Sequence, residues 1–88
     1  MKITINGNNF IVKTNFEDLI PGGIMKCVPV CLSDFEHIKN VSPFTKMSGI
    51  LESNKHFSSL KNVALIGIAH NYEKGKTEMF FTFESITD

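Results

Sequence analysis

Apolar and polar residues alternate at the start of the chain, with Ile3, Ile5, Phe10 and Val12 set against Lys2, Thr4, Asn9 and Lys13 on either side of Asn6-Gly7. Asn-Gly is the strongest two-residue hairpin signal, because both central residues of a type I′ turn need positive φ. Pairing Ile5 with Asn8 sets Ile3 opposite Phe10 and puts all four apolar side chains on one face, so a hairpin is predicted over about 2–13. After Asn15, the acids Glu17 and Asp18 open a short helical connector that Pro21-Gly22-Gly23 stops. The apolar run 24–32 contains Pro29, which cannot donate to a ladder, and it is therefore predicted as an edge strand.

Ser33-Asp34-Phe35-Glu36 has the form of a capping box and predicts a helix over about 34–40. Ser42-Pro43 suits a second helix start, with Phe44, Met47, Ile50 and Leu51 at helical spacing and Gly49 weakening it by about 1 kcal/mol. Asn54, Phe57 and Leu60 extend that helical reading towards Asn62. Two strands follow, about 63–72 and 77–86, around Glu73-Lys74-Gly75-Lys76. A two-residue loop at Lys74-Gly75 would pair Glu73 with Lys76, Ile68 with Phe81 and Ile66 with Phe83. This hairpin is apolar on both faces, as a central strand pair covered by helices would be. The predicted fold is thus a single α+β domain over 1–88. Its antiparallel sheet consists of hairpins at about 2–13 and 63–86 plus an edge strand at 24–32, with short helices between 34 and 61 covering one face.

Composition narrows the function more than it names one. Nine basic residues balance nine acidic ones, and every basic residue is lysine; there is no arginine and no tryptophan. A net charge of zero argues against a nucleic-acid partner, and the absence of arginine removes the planar fork that clamps phosphate and carboxylate. Abundant lysine, asparagine, isoleucine and phenylalanine fit an AT-rich coding sequence, of a bacterium or a phage. The alternating first strand does not resemble a signal peptide, and the longest apolar run, 63–69, is far short of the roughly 20 residues that span a bilayer, so a cytoplasmic protein is expected. Cys27 and Cys31, four apart on an extended segment, are expected as free thiols.

Candidate chemistry is sparse. Gly75-Lys76-Thr77 resembles the end of a phosphate-binding loop, but His70 stands where the first glycine is needed and the following residues read as a strand. Cys27, Cys31, His37, His56 and His70 are the ligand types zinc prefers, yet Val28-Pro29-Val30 offers no knuckle turn, and no metal or other cofactor is expected. A histidine paired with Asp34, Glu36 or Cys31 would be the route to a small hydrolase, and no spacing brings such a pair together. Asn40-Val41-Ser42 has the form of a glycosylation acceptor, which has no use without secretion.

By elimination the expected function is a small non-enzymatic interaction module, an accessory or inhibitor protein of the phage type that binds and modulates a larger protein. The alternatives are a small metal-independent nuclease or toxin-type enzyme using His70 with a lysine or glutamate, and a homo-oligomer that sequesters a small ligand. Two partner-binding patches are predicted. One is the tip of the second hairpin, with His70, Asn71, Tyr72, Lys74 and Lys76; the other is the helix start with Phe44, Lys46 and Met47. Homodimerisation is expected through the 24–32 edge strand.

Overall fold

The computed structural model describes residues 1–42 and 44–88, and the backbone but not the side chain of Asn71. It is a closed six-stranded antiparallel barrel rather than a sheet covered by helices. Strands β1 (Lys2–Ile5), β2 (Asn8–Val12), β3 (Met25–Pro29), β4 (Met47–Ser53), β5 (His56–Asn71) and β6 (Lys76–Thr82) pair in the cyclic order β4-β1-β2-β3-β6-β5, and β4 pairs β5 to close the ring. Among the described residues one helix, α1 (Leu32–Lys39), lies between β3 and β4. A short strand, β7 (Ser85–Thr87), also pairs β5. Thr82 faces Ala64 and Ser85 faces Lys61, so β7 continues β6 in one register after an interruption at Phe83-Glu84.

The first hairpin forms as the sequence predicts. Ile5 faces Asn8, Ile3 faces Phe10, and the turn residues Asn6 and Gly7 have φ of 48° and 78°. Its inward face joins Met25, Cys27, Leu51, Leu60, Val63, Met79 and Phe81 in one core inside the barrel, where Phe10 and Phe81 meet edge-to-face at 5.4 Å. Leu19, after the short 3-10 turn Phe16–Asp18, is buried in the same core.

The expected second helix is instead a hairpin. The Pro43 helix start lies outside the described residues; from Met47 onwards the period is two, with Met47, Gly49 and Leu51 buried and Ser48 and Ile50 exposed. Asn54 and Lys55, at φ 45° and 67°, make the turn to β5, so a lysine takes the left-handed place that glycine fills in the first hairpin. Gly49 is a close-approach residue: a Cβ there would lie 3.1 Å from Val63 Cγ2 and 3.2 Å from Ile3 Cδ1. Bulges at Lys61-Asn62 and at Ile66 bend β5 so that its first half pairs β4 and its second half pairs β6. Asn62 takes the left-handed conformation that the first bulge needs, with φ 55°, and its side-chain amide donates to Glu84.

The second hairpin's register and the place of β3 also differ from expectation. The β5–β6 loop has four residues, Tyr72 to Gly75, and Asn71 rather than Glu73 faces Lys76. Ile68 therefore lies opposite Met79 and Leu65 opposite Phe81, and the two bulges leave Ile66 and Ile68 exposed while Val63 is buried. The other correction concerns β3, which is not an edge. It pairs β2 through 27–29 and β6 through 25–27, so the surface expected to recruit a second copy is already occupied.

Helix α1 begins at Leu32, with Cys31 rather than Ser33 at the N-cap position, and Asp34, at the third helical position, accepts the Cys31 backbone N–H. The Asp34 carboxylate accepts the Asn9 backbone N–H at 3.1 Å and the Cys31 thiol at 3.0 Å, which ties the helix to β2. His37 adds a bond to Asn8 at 2.9 Å, and Ile38 enters the core. Among the described residues no helix is long and apolar enough to cross a membrane.

Candidate partner-binding surface

Among the described residues the longest open side in the barrel lies along the second half of β5. Residues 64–71 pair β6 on one side, and among the described residues no strand pairs the other side, because the β4 ladder ends at Met47 opposite Val63. Which backbone groups face this open edge follows from the alternation of antiparallel pairs. Lys26 bonds through its backbone towards Lys13 and Thr14 on the β2 side. Met25 and Cys27 therefore bond to Phe81 and Met79, which turns the backbones of Phe80 and Glu78 towards Gly67 and Ala69. Ile68 and His70 lie between these bonded pairs and direct their N–H and C=O groups to the open edge.

An apolar groove of about 230 Å³ runs beside this edge, lined by Lys39, Val41, Phe44 and Leu65 to Ile68. Phe44 is 69% exposed and Ile68 46% exposed. From Asn62 to Tyr72 the strand carries no carboxylate and no lysine. At its end the His70 and Tyr72 rings meet edge-to-face at 5.0 Å, and His70 Nδ1 and Thr77 Oγ1 are hydrogen-bonded at 2.8 Å.

The structure thus joins the two patches that the sequence treats as separate. Phe44 lies in the groove beside Ile66 and Ile68, and the same strand runs out to His70, Tyr72 and the turn that carries Lys74, with Lys76 at the start of β6. Lys46 is exposed just before β4, whereas Met47 is buried in the core and unavailable to a partner. The side chain of Asn71 lies outside the described residues. Sequence reasoning missed Ile66 and Ile68 as surface residues by pairing them with Phe83 and Phe81; the one signal that could have found them is the long run from Asn62 to Tyr72 without a carboxylate or lysine.

Of the other candidate residues, Cys31, Asp34 and His37 meet at the start of α1, and the rest are dispersed. Cys27 is buried in β3 and burial pushes its thiol pKa up to about 12, while Cys31 is exposed at the start of α1; both are free thiols. The Asp34 carboxyl is held below its ordinary range, first by the Cys31 thiol and then by the Asn9 and Cys31 backbone N–H groups and nearby His37, against the opposing effect of its burial. Glu36 pairs with Lys39 at 3.1 Å. Among the described residues no group of three His, Cys, Asp or Glu side chains is arranged to hold a metal. His56 lines a cleft of about 270 Å³ at the other end of the barrel with Ser53, Asn54, Ser58, Asp88 and Phe16. There the Ser58 hydroxyl donates directly to Asp88 at 2.7 Å, with no imidazole between them to act as a base. Compared with family models, with curated proteins and with solved structures, the chain matches none.

Proposed function

We propose that this protein is a non-enzymatic interaction module that captures an extended segment of a larger protein along the second half of β5. The observation that carries the reading is the unpaired edge of residues 64–71, which offers backbone donors and acceptors beside an apolar groove. An edge of this kind is completed by an added strand: main-chain hydrogen bonds give affinity, and a pocket for alternate side chains gives selectivity. The fit favours an apolar segment flanked by acidic residues, because Lys39 lines the groove and Lys74 and Lys76 lie at the outer end of the β5–β6 hairpin. A second copy fits less well. Antiparallel pairing of two β5 edges would bring the Lys74 and Lys76 end of one chain against Lys46 and Lys61 of the other. Two free thiols agree with a reducing compartment such as the cytoplasm, and the size and AT-rich composition agree with an accessory or inhibitor protein of the phage type.

The test uses random-sequence peptides of about ten residues displayed on a surface and selected for binding, a length that spans the exposed strand. Selected peptides should be apolar at alternate positions with acidic flanks, and they should slow amide exchange at Ile68 and His70. Ile68→Pro, which removes an N–H that faces the open edge, should abolish binding with the circular dichroism spectrum unchanged. Should that variant fail to fold, Ile68→Lys serves the same purpose without altering the backbone. Peptides that protect other amides, or that bind either variant as well as the parent, would overturn the reading. So would self-association that protects Ile68 and His70, because the edge would then belong to a second copy.

A further inference from the structure

Four of the nine lysines meet in one recess. Lys13, Lys26, Lys74 and Lys76 line a cleft of about 320 Å³ on the outside of the barrel, with Val28 and Glu78 completing its walls. They come from four places in the chain: after β2, within β3, in the β5–β6 turn and at the start of β6. Strand alternation brings them together. Met25, Cys27, Met79 and Phe81 point inward and are fully buried, so Lys26, Lys76 and Glu78 share the outer face.

The cleft holds one carboxylate against these four cations, and Glu78 is engaged by Lys26 at 2.7 Å. Lys13 and Lys76 have no carboxylate within ion-pair distance among the described residues. In a chain of zero net charge this is a marked local excess, and the like charges repel one another in a recess that an anion can enter. The recess has a structural origin. Pairing of β3 with β6 ends at Cys27 opposite Met79, because the next inward-facing residue of β3, Pro29, has no N–H to continue it, and the two strands part beside Val28 and Lys76.

We propose that this cleft binds a compact oligophosphate, of the size of pyrophosphate or the phosphate chain of a nucleotide. Lysine meets phosphate as a point charge, so several lysines around one recess recognise a small multivalent anion without the arginine fork that this chain lacks. The volume lies at the small end of ligand pockets. The lysines surround one point rather than follow a track, which disfavours a long nucleic-acid backbone. The site lies on the outer face of β3 and β6 and shares only Lys74 and Lys76 with the outer end of the β5 edge, so the oligophosphate reading does not depend on strand addition.

The experiment is a titration of isotope-labelled protein with sodium pyrophosphate at fixed ionic strength, followed by chemical shifts of amide and lysine side-chain groups. The expected result is saturable change confined to Lys13, Lys26, Lys74, Lys76 and their neighbours, with inorganic phosphate at least about tenfold weaker because it carries less charge. Lys13→Gln combined with Lys76→Gln should weaken pyrophosphate at least about tenfold with the fold unchanged, and Lys76→Gln alone should lose part of that affinity. Adenosine triphosphate binding more tightly than tripolyphosphate would identify a nucleotide as the source of the phosphates; equal binding would identify the free oligophosphate. Shifts spread over all lysines, shifts reproduced by sodium chloride, or unchanged affinity in the double variant would overturn the proposal. A single-stranded oligonucleotide that binds more tightly than pyrophosphate, and as tightly in the double variant, would overturn it as well.

Discussion

Strand β3 and the second half of β5 look alike in sequence and end in opposite situations. Both lie in largely apolar stretches of the chain, and β3 carries the proline that marks an edge. Yet β3 is enclosed between β2 and β6, with Met25 and Cys27 at 0% exposure, while residues 64–71 of β5 have one open side and expose Ile66 and Ile68. The difference shows that a proline restricts only the side of the strand to which its missing N–H would point. Pro29 ends the β6 ladder and leaves β3 paired with β2, where the backbone of Val30 bonds to Asn9 at 3.1 Å. Whether a strand is an edge depends on how many strands the whole chain supplies to flank it, and β4 is too short to flank all of β5.

The sharpest way to break this comparison is to delete side-chain volume on each side of it. Met25→Ala in β3 should cost about 2–5 kcal/mol in urea unfolding, whereas Ile68→Ala should cost about 1 kcal/mol or less. Equal costs would mean that the β5 edge is as enclosed as β3.

Alkaline pH tests the enclosure of β3 without a change of volume. The Cys27 thiol titrates near 9.0 when exposed and at about 12 in the fold. The folded state therefore holds its proton more tightly. This stabilisation is complete below pH 9 and is lost as pH rises towards 12, at about 1.4 kcal/mol per unit. Denaturation of Cys27→Ala followed over the same range should lack this component of the slope, although the variant starts from a lower stability at neutral pH.

Proline placement gives a smaller contrast. Lys26→Pro removes an N–H held by Thr14 Oγ1 at 2.8 Å, and Ile68→Pro removes one that faces the open edge. The β5 variant should be the more stable of the two by at least about 1 kcal/mol, as read from thermal or urea unfolding.

The smallest effect concerns the cover that α1 places beside β3. The Asp34 carboxyl titrates below its unfolded value, so its contribution is present above the ordinary carboxylate range and is lost as pH falls through the folded pKa. Asp34→Asn should lower stability at neutral pH and flatten the acid limb of the stability profile, and amide exchange should rise first in α1 while the core of β5 stays protected.

The first hairpin was fully legible because its signals are local. Asn6-Gly7 sets the turn, and the alternation on either side sets the register and the buried face. Helix α1 was legible to within two residues, although its cap was placed at Ser33, because nothing local shows that Asp34 bonds both back to Cys31 and across to Asn9. The region 42–62 was not legible. Phe44, Met47, Ile50 and Leu51 satisfy a helical spacing while Met47, Gly49 and Leu51 satisfy a strand spacing, and the turn at Asn54-Lys55 lacks the glycine that would have decided between them. Of the candidate surface, His70, Tyr72, Lys74, Lys76, Phe44 and Lys46 were found as exposed groups, but nothing local indicated that Phe44 lies beside Ile66 and Ile68.

Periodicity and turn chemistry within a few residues sufficed for the first hairpin, for a helix near 34–40 and for the inward placing of Phe10 and Phe81. Tertiary structure decided the barrel. Closure requires β4 to meet β1 and β5 together, Gly49 to admit Ile3 and Val63, and two bulges to bend β5 from one neighbour to the next. The faces of β5 follow from those bulges, because each extra residue inverts the alternation beyond it. The open edge and the lysine cleft are products of that same long-range pairing: one lies where β4 runs out, the other where Pro29 ends the ladder between β3 and β6.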